Sequence, residues 1–184
     1  MKAKFLLLLF TFLLSCNSEK NIQPNVVLIY LDDLGYGDVS SYELGTLETP
    51  NMDKIANGGI RFTNGYASSA TCSPSRYALM TGTYPWRNKK AKIITGGNLI
   101  IDENEMTLPK MFKSMGYETG VVGKWHLGLG KDGPVDYNSL ISPGPNEVGF
   151  DHSHIMADTQ DRVPTVYIEN GNVVNLDPND PIEI

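Results

Sequence analysis

Cysteine is almost absent from this chain: two residues in 184, Cys16 and Cys72. Cys16 sits at the end of an apolar leader, so an exported mature chain would carry Cys72 as an odd thiol with no intramolecular disulfide. An exposed thiol in an oxidising compartment is a liability unless it is buried or chemically altered. Basic runs are lacking too, and the net charge is −6. Nothing in that balance suggests a nucleic-acid or anionic-membrane partner. There is no internal repeat and no low-complexity tract. Long hydrophobic runs are missing apart from Phe5 to Leu14, which is interrupted only by Thr11. Ten residues fall short of the about 20 needed to span a bilayer. The apolar share is 41% and the charged share 20%, while eleven prolines and eighteen glycines imply many loops. What remains is a mildly acidic globular chain, long enough for one domain with a real core.

The leader has the form of a signal peptide. Lys2 and Lys4 precede the apolar run, which ends Leu13-Leu14-Ser15-Cys16 before the polar Asn17-Ser18-Glu19-Lys20. That ending resembles a bacterial lipoprotein box, making Cys16 the lipidated first residue of the mature protein and anchoring it to a membrane of the cell envelope. The alternative is plain secretion with Cys16 incidental. Residues 1–16 are thus read as leader, 17–24 as tether and 25–184 as the folded portion.

Along that portion, Asn25-Val26-Val27-Leu28-Ile29-Tyr30-Leu31 reads as a strand buried on both faces of a parallel sheet. Asp32-Asp33-Leu34-Gly35 follows at its carboxyl end, where ligands bind in open α/β sheets. Thr49-Pro50 opens a helix that Gly58-Gly59 closes, and Ile60 to Thr63 reads as a short strand. Pro74 suits a first helical position, with Gly82 ending a helix that begins near Ser73. A Lys- and Gly-rich loop covers Asn88 to Gly97. Thr107 caps a further helix closed by Gly116, and Tyr117 to Gly123 reads as a second buried strand. Val166 to Glu169 and Val173-Val174, joined through Asn170-Gly171, read as a hairpin. Asp177 to Pro181 is turn-like. This rhythm predicts an α/β fold with a mainly parallel sheet between helices.

Three stretches carry candidate chemistry. Thr71-Cys72-Ser73-Pro74-Ser75-Arg76 places a thiol and an arginine four apart, on one helix face at an anion-favouring helix N-terminus. Cys72 there is read either as an inert buried thiol or as a nucleophile with His126 as base. Asp32-Asp33 offers two hard carboxylates, suited to Ca²⁺ or Mg²⁺, provided the chain turns there; otherwise it is a solvated acidic turn. Lys124-Trp125-His126 puts a cation and an imidazole on one face if the strand persists, and is otherwise a surface lysine beside a satisfied histidine.

Taken together and in order, these stretches resemble a known family. Cys72-Ser73-Pro74-Ser75-Arg76 with Leu79-Met80-Thr81-Gly82 resembles the Cys-x-Pro-x-Arg motif of the type I sulfatases. Asp32-Asp33, Lys124-Trp125-His126-Leu127-Gly128 and Gly149-Phe150-Asp151 continue the likeness from Asn25 to about Asn175. The resemblance implies an alkaline-phosphatase-like α/β fold and hydrolysis of a sulfate ester, plausibly on a carbohydrate. It implies that a maturating enzyme oxidises Cys72 to formylglycine, one of whose hydrate hydroxyls attacks sulfur and whose other drives out sulfate. By position, Asp32 and Asp33 would bind Ca²⁺, with Mg²⁺ the less favoured ion, and Cys72 would touch that metal. Arg76 would steady the modified residue, Lys124 would bind sulfate and nucleophile, and His126 would assist proton transfer. Gln160 stands where many arylsulfatases place a sulfate-contacting histidine, with His152 and His154 nearby. The family's remaining metal ligands and smaller C-terminal subdomain are expected beyond Ile184, so the piece alone is expected to be inactive. Two rival readings are a phosphonate monoester or phosphodiester hydrolase sharing the motif, and a truncated, non-catalytic envelope lipoprotein.

Overall fold

The computed structural model describes residues 23–42, 47–92 and 96–183. The leader with Cys16, and residues 93–95 of the Lys-rich loop, lie outside the described residues. The chain divides into two units, 1–36 and 37–184.

In the first unit, residues 25–31 form no strand, and Val27 and Ile29 are 82% and 69% exposed. This corrects the expected buried strand. An apolar, β-branched run becomes a strand only where neighbouring strands complete its hydrogen-bond ladder. The run is strand-like in composition and lacks that ladder among the described residues.

The second unit carries the regular structure. Helix α1 spans Pro50–Gly58, α2 Cys72–Thr81 and α3 Leu108–Ser114; strands β1 to β4 span Gly120–Lys124, His152–Met156, Tyr167–Glu169 and Asn172–Val173. The strands form one sheet in chain order. β1 and β2 run parallel with Lys124 opposite Met156, whereas β2–β3 and β3–β4 are antiparallel. The α/β class is borne out, with a mixed sheet among the described strands.

Local chemistry explains where these elements begin and stop. Thr49 occupies the N-cap of α1, but its hydroxyl is engaged with Ser40 and the Asp53 carboxylate instead of a first-turn N–H. In α3 the Thr107 hydroxyl does cap, accepting from the Lys110 N–H while donating to the Val148 carbonyl. The hairpin turns at Asn170-Gly171, whose φ values of 45° and 82° are both positive, as a two-residue type I′ loop requires. Ile60 to Thr63 is not a strand, and Ile60 and Phe62 stay 82% and 70% exposed for want of a ladder partner.

The core lies between the sheet and the loops that cross over it. It gathers Tyr77 of α2, Ile100, Trp125, Leu127, Ile155 and Ile168. Parallel strands need a long crossover, and residues 125–151 provide it without a helix. The start of that crossover is pinned by Trp125 N–H to Met156 O (2.9 Å) and His126 N–H to Ala157 O (2.8 Å).

Asp151, from the Gly-Phe-Asp stretch, fastens three elements. Its carboxylate accepts from the Lys113 ammonium of α3 at 2.7 Å and from the Thr119 N–H and hydroxyl just before β1, at 2.8 and 3.0 Å. The lysine bond first, then the threonine donors, hold its pKa down to about 2 from 3.8. A depressed carboxylate stabilises the fold at pH above about 4 and loses that contribution as pH falls through about 2. Replacing Asp151 with Asn should therefore lower stability at neutral pH and flatten the stability profile between about pH 4 and 2. Denaturant melts of the full-length protein across that range check this; parallel profiles for the two proteins would contradict it.

Candidate active site

Helix α2 begins one residue earlier than expected, so Cys72 is its first residue and Pro74 its third, not its first. No helical bond is lost, because the first N–H to bond within the helix is that of Ser75, reaching Thr71 O at 3.2 Å. Gly82 ends the helix in the left-handed conformation (φ 66°), with its N–H on Ala78 O at 2.8 Å. The helix is anchored by Tyr77, 2% exposed, whose hydroxyl donates to the Glu105 carboxylate at 3.2 Å.

One turn of α2 brings Arg76 beneath Cys72, and both meet the end of β1. Arg76 Nη1 donates to Lys124 O at 2.7 Å, and Lys124 Nζ lies 3.2 Å from Cys72 Sγ. All three side chains are half-buried. A sulfur centre at a helix N-terminus thus lies against the ammonium of Lys124, whose backbone carbonyl Arg76 holds, an arrangement suited to stabilising an oxyanion. Ser73 is fully buried, and its hydroxyl has no hydrogen-bond partner among the described residues.

His126 sits differently from the sequence expectation. β1 stops at Lys124, and His126 takes φ 54°, so the two do not share a strand face. The chain turns there because the backbone of residues 125 and 126 is captured by the end of β2. His126 is 1% exposed, beside the buried Trp125, whose indole N–H donates to Gly128 O at 2.8 Å.

Gly128 explains the tightness of this turn. It has φ 80°, and a Cβ there would lie 2.1 Å from Asn98 O and 2.5 Å from Asn98 C. Flanking bonds from Ile100 N–H to Leu127 O and from Leu129 N–H to Gly97 O, at 3.0 and 2.9 Å, hold the two segments together. Gly128→Ala should destabilise the full-length protein by roughly 3 kcal/mol through strain and backbone displacement. Chemical denaturation measures this, and a cost within experimental error would contradict the close approach.

Gln160 is exposed and makes no hydrogen bond with the described residues. The Asp161 carboxyl is held below its usual range first by the Thr159 hydroxyl, with smaller help from the charges of Arg162 and Lys124. His152 and His154 do not take Gln160's place. They belong to β2, not a loop, with His152 opposite Gly120, roughly 13 Å back along the strand from Lys124's level. His154 stacks on Tyr167 instead (centroids 5.4 Å apart).

Asp32 and Asp33, in the first unit, are exposed at a bend where Asp33 takes φ 59°. That bend removes the strict alternation of an extended strand, and two hard carboxylates suit a Ca²⁺- or Mg²⁺-type ion. The pair fits part of such a site, since the larger ion takes about six to eight oxygens and no cluster of three or more His, Cys, Asp or Glu occurs among the described residues.

On an α/β scaffold, then, a cysteine-headed helix meets a strand-end lysine. The chain belongs to the sulfatase family, whose model, described as Sulfatase, matches residues 24–173. It is 50% identical over 169 residues to an N-acetylgalactosamine-6-O-sulfatase of Bacteroides thetaiotaomicron, covering 91% of this chain and 33% of that protein. Human steryl-sulfatase is 40% identical over 144 residues, 74% of this chain and 24% of its own length. A solved structure from work on glycosaminoglycan metabolism by Bacteroides thetaiotaomicron superposes with TM-score 0.79 at 52% identity, covering 82% of this chain and 32% of that one. Ps i-CgsB in complex with k-i-k-neocarrahexaose gives TM-score 0.59 at 26% identity, over 79% and 36%. The chain spans about a third or less of the length of these two curated relatives.

Proposed function

We propose that the full-length protein hydrolyses a sulfate ester on a carbohydrate, at the bacterial cell envelope, using Cys72 as the precursor of its nucleophile. The observation that carries this is the meeting of Cys72, Arg76 and Lys124 across 52 residues of sequence. Two separate motifs, Cys72-Ser73-Pro74-Ser75-Arg76 and Lys124-Trp125-His126, meet there in a chain of the sulfatase family. The glycan substrate class is drawn from the relative that acts on N-acetylgalactosamine 6-sulfate and from the neocarrahexaose complex.

In this reading a maturating enzyme converts Cys72 to formylglycine, whose hydrate supplies an oxygen nucleophile that ordinary side chains lack. The chain's own residues do the rest. The N-terminus of α2 and the Lys124 ammonium hold the sulfate oxygens and favour the charge that grows on them in the transition state. Arg76 fixes the strand end that carries Lys124 and adds a second positive charge. His126, buried at the turn after β1, moves the proton between nucleophile and leaving alcohol. Gln160 is a weaker candidate for sulfate contact from the loop past β2. Asp32 and Asp33 would contribute hard oxygens to a Ca²⁺ ion, or less readily Mg²⁺, and such an ion would supply Lewis-acid chemistry. Export is assigned to the leader, with Cys16 lipidated as a membrane anchor.

Mass spectrometry of the Cys72 peptide from full-length protein, expressed with a sulfatase-maturating enzyme, should show the aldehyde in place of the thiol. Full sulfatase activity from unmodified Cys72 would contradict the mechanism. Lys124→Ala should lower kcat/KM on an aryl sulfate about 10²–10³-fold, as loss of an oxyanion-stabilising group does. Steady-state assays with aryl sulfate and phosphodiester substrates check this, and preference for the phosphodiester would overturn the choice of ester.

A further inference from the structure

The segment that carries helix α2 has a charge pattern unlike the rest of the chain. Residues 54–101 contain seven Lys or Arg and no Asp or Glu, in a protein of net charge −6. Four of those cations, Arg87, Lys89, Lys90 and Lys92, fall within six residues just past α2. All four are exposed, and none has an ion-pair partner among the described residues.

Beside them stand two exposed aromatic rings. Tyr84 and Trp86 stack face to face, with centroids 4.1 Å apart and planes 15° from parallel, yet remain 54% and 70% exposed. Stacking uses one face of each ring and leaves the other open. The loop that presents them is built firmly. Pro85 and Ala91 are buried beneath it. Arg87 N–H to Tyr84 O, Asn88 N–H to Pro85 O and Ala91 N–H to Asn88 O, each 3.0 Å, close successive turns. The Asn88 carboxamide oxygen accepts from Lys90 N–H at 2.9 Å.

Nothing in the Cys72 site uses this surface. Its chemistry is that of an anionic carbohydrate: sugar C–H faces lie against aromatic rings, and sulfate groups meet ammonium and guanidinium donors. We propose that Tyr84, Trp86 and the Arg87–Lys92 cations form an accessory surface that holds a sulfated polysaccharide chain away from the scissile ester. This rests on the reading of the protein as a glycan sulfatase. A nucleic acid could also meet rings and cations, but the reading of the protein as a glycan sulfatase favours a sulfated polysaccharide.

The test uses full-length protein carrying Cys72→Ala, so that bound glycan is not consumed, and affinity electrophoresis through gels containing chondroitin sulfate. Combined Lys89→Gln, Lys90→Gln and Lys92→Gln should weaken binding about tenfold, the sum of three exposed charge contacts of modest worth each. Trp86→Ala should weaken it too and Trp86→Phe should restore it, while retardation by inorganic polyphosphate of matched charge, which has no ring face to stack, should not respond to Trp86. Unchanged binding in both variants would overturn the proposal. So would equal loss for chondroitin sulfate and polyphosphate, which would mark a general polyanion patch. With Cys72 intact, these variants should hydrolyse a small aryl sulfate at the unmodified rate. Absence of that hydrolysis in the unmodified protein would contradict the proposed function instead, and the binding comparison would still decide the surface.

Discussion

A bond from Arg76 to the backbone carbonyl of Lys124 joins helix α2 to the end of a strand 48 residues later. Almost everything else in the site follows from that junction. The carbonyl of a terminal strand residue has no ladder partner beyond the strand, and a guanidinium satisfies it with a charge-assisted bond. The same contact sets the height of Lys124 relative to α2, which brings its ammonium to Cys72 without a further bend in the chain. Arg76 therefore has a positioning role as well as an electrostatic one, and a lysine in its place would keep the charge but lose the planar reach.

Several backbone approaches hold the junction in place. β2 runs parallel to β1 and captures the two residues after Lys124, so the strand ends where the site needs it to end. Gly128 lets the outgoing chain lie against Asn98, and Gly149 lets α3 press against the crossover, where a Cβ would meet Lys110 N at 3.0 Å. Asp151 then ties α3 to the start of β1. The Gly-Phe-Asp stretch thus earns its place structurally: it fixes the strand that carries Lys124 without touching the anion site itself.

Legibility in the sequence tracked how local each feature is. The helix from Cys72 to Thr81, the Thr107 cap and the Asn170-Gly171 turn are written in residues within a few positions of one another, and all three were readable. β2 was not, because its buried positions include Ser153, whose hydroxyl and backbone bond to Asn146 and Asn170. That polar network supplies what an apolar pattern would have signalled. The run at 25–31 misled in the opposite sense: its composition describes a preference for a sheet interior, whereas a strand also requires neighbours. At the site, the spacing of Cys72 and Arg76 was local and legible. The arrival of Lys124 was not deducible from spacing and came only through resemblance to a family. The positive φ of His126 was hidden because tertiary capture by Ala157, not any residue preference, ends the strand there.

The central claim is that Cys72, Arg76 and Lys124 form one site for a sulfate oxyanion. It is tested most directly by titrating inorganic sulfate into the full-length protein carrying Cys72→Ser, with and without Lys124→Ala, in a calorimeter. The account predicts saturable sulfate binding to the first protein, weakened at least about tenfold in the second, the loss of one charged hydrogen bond. Equal affinity in the two proteins would contradict it.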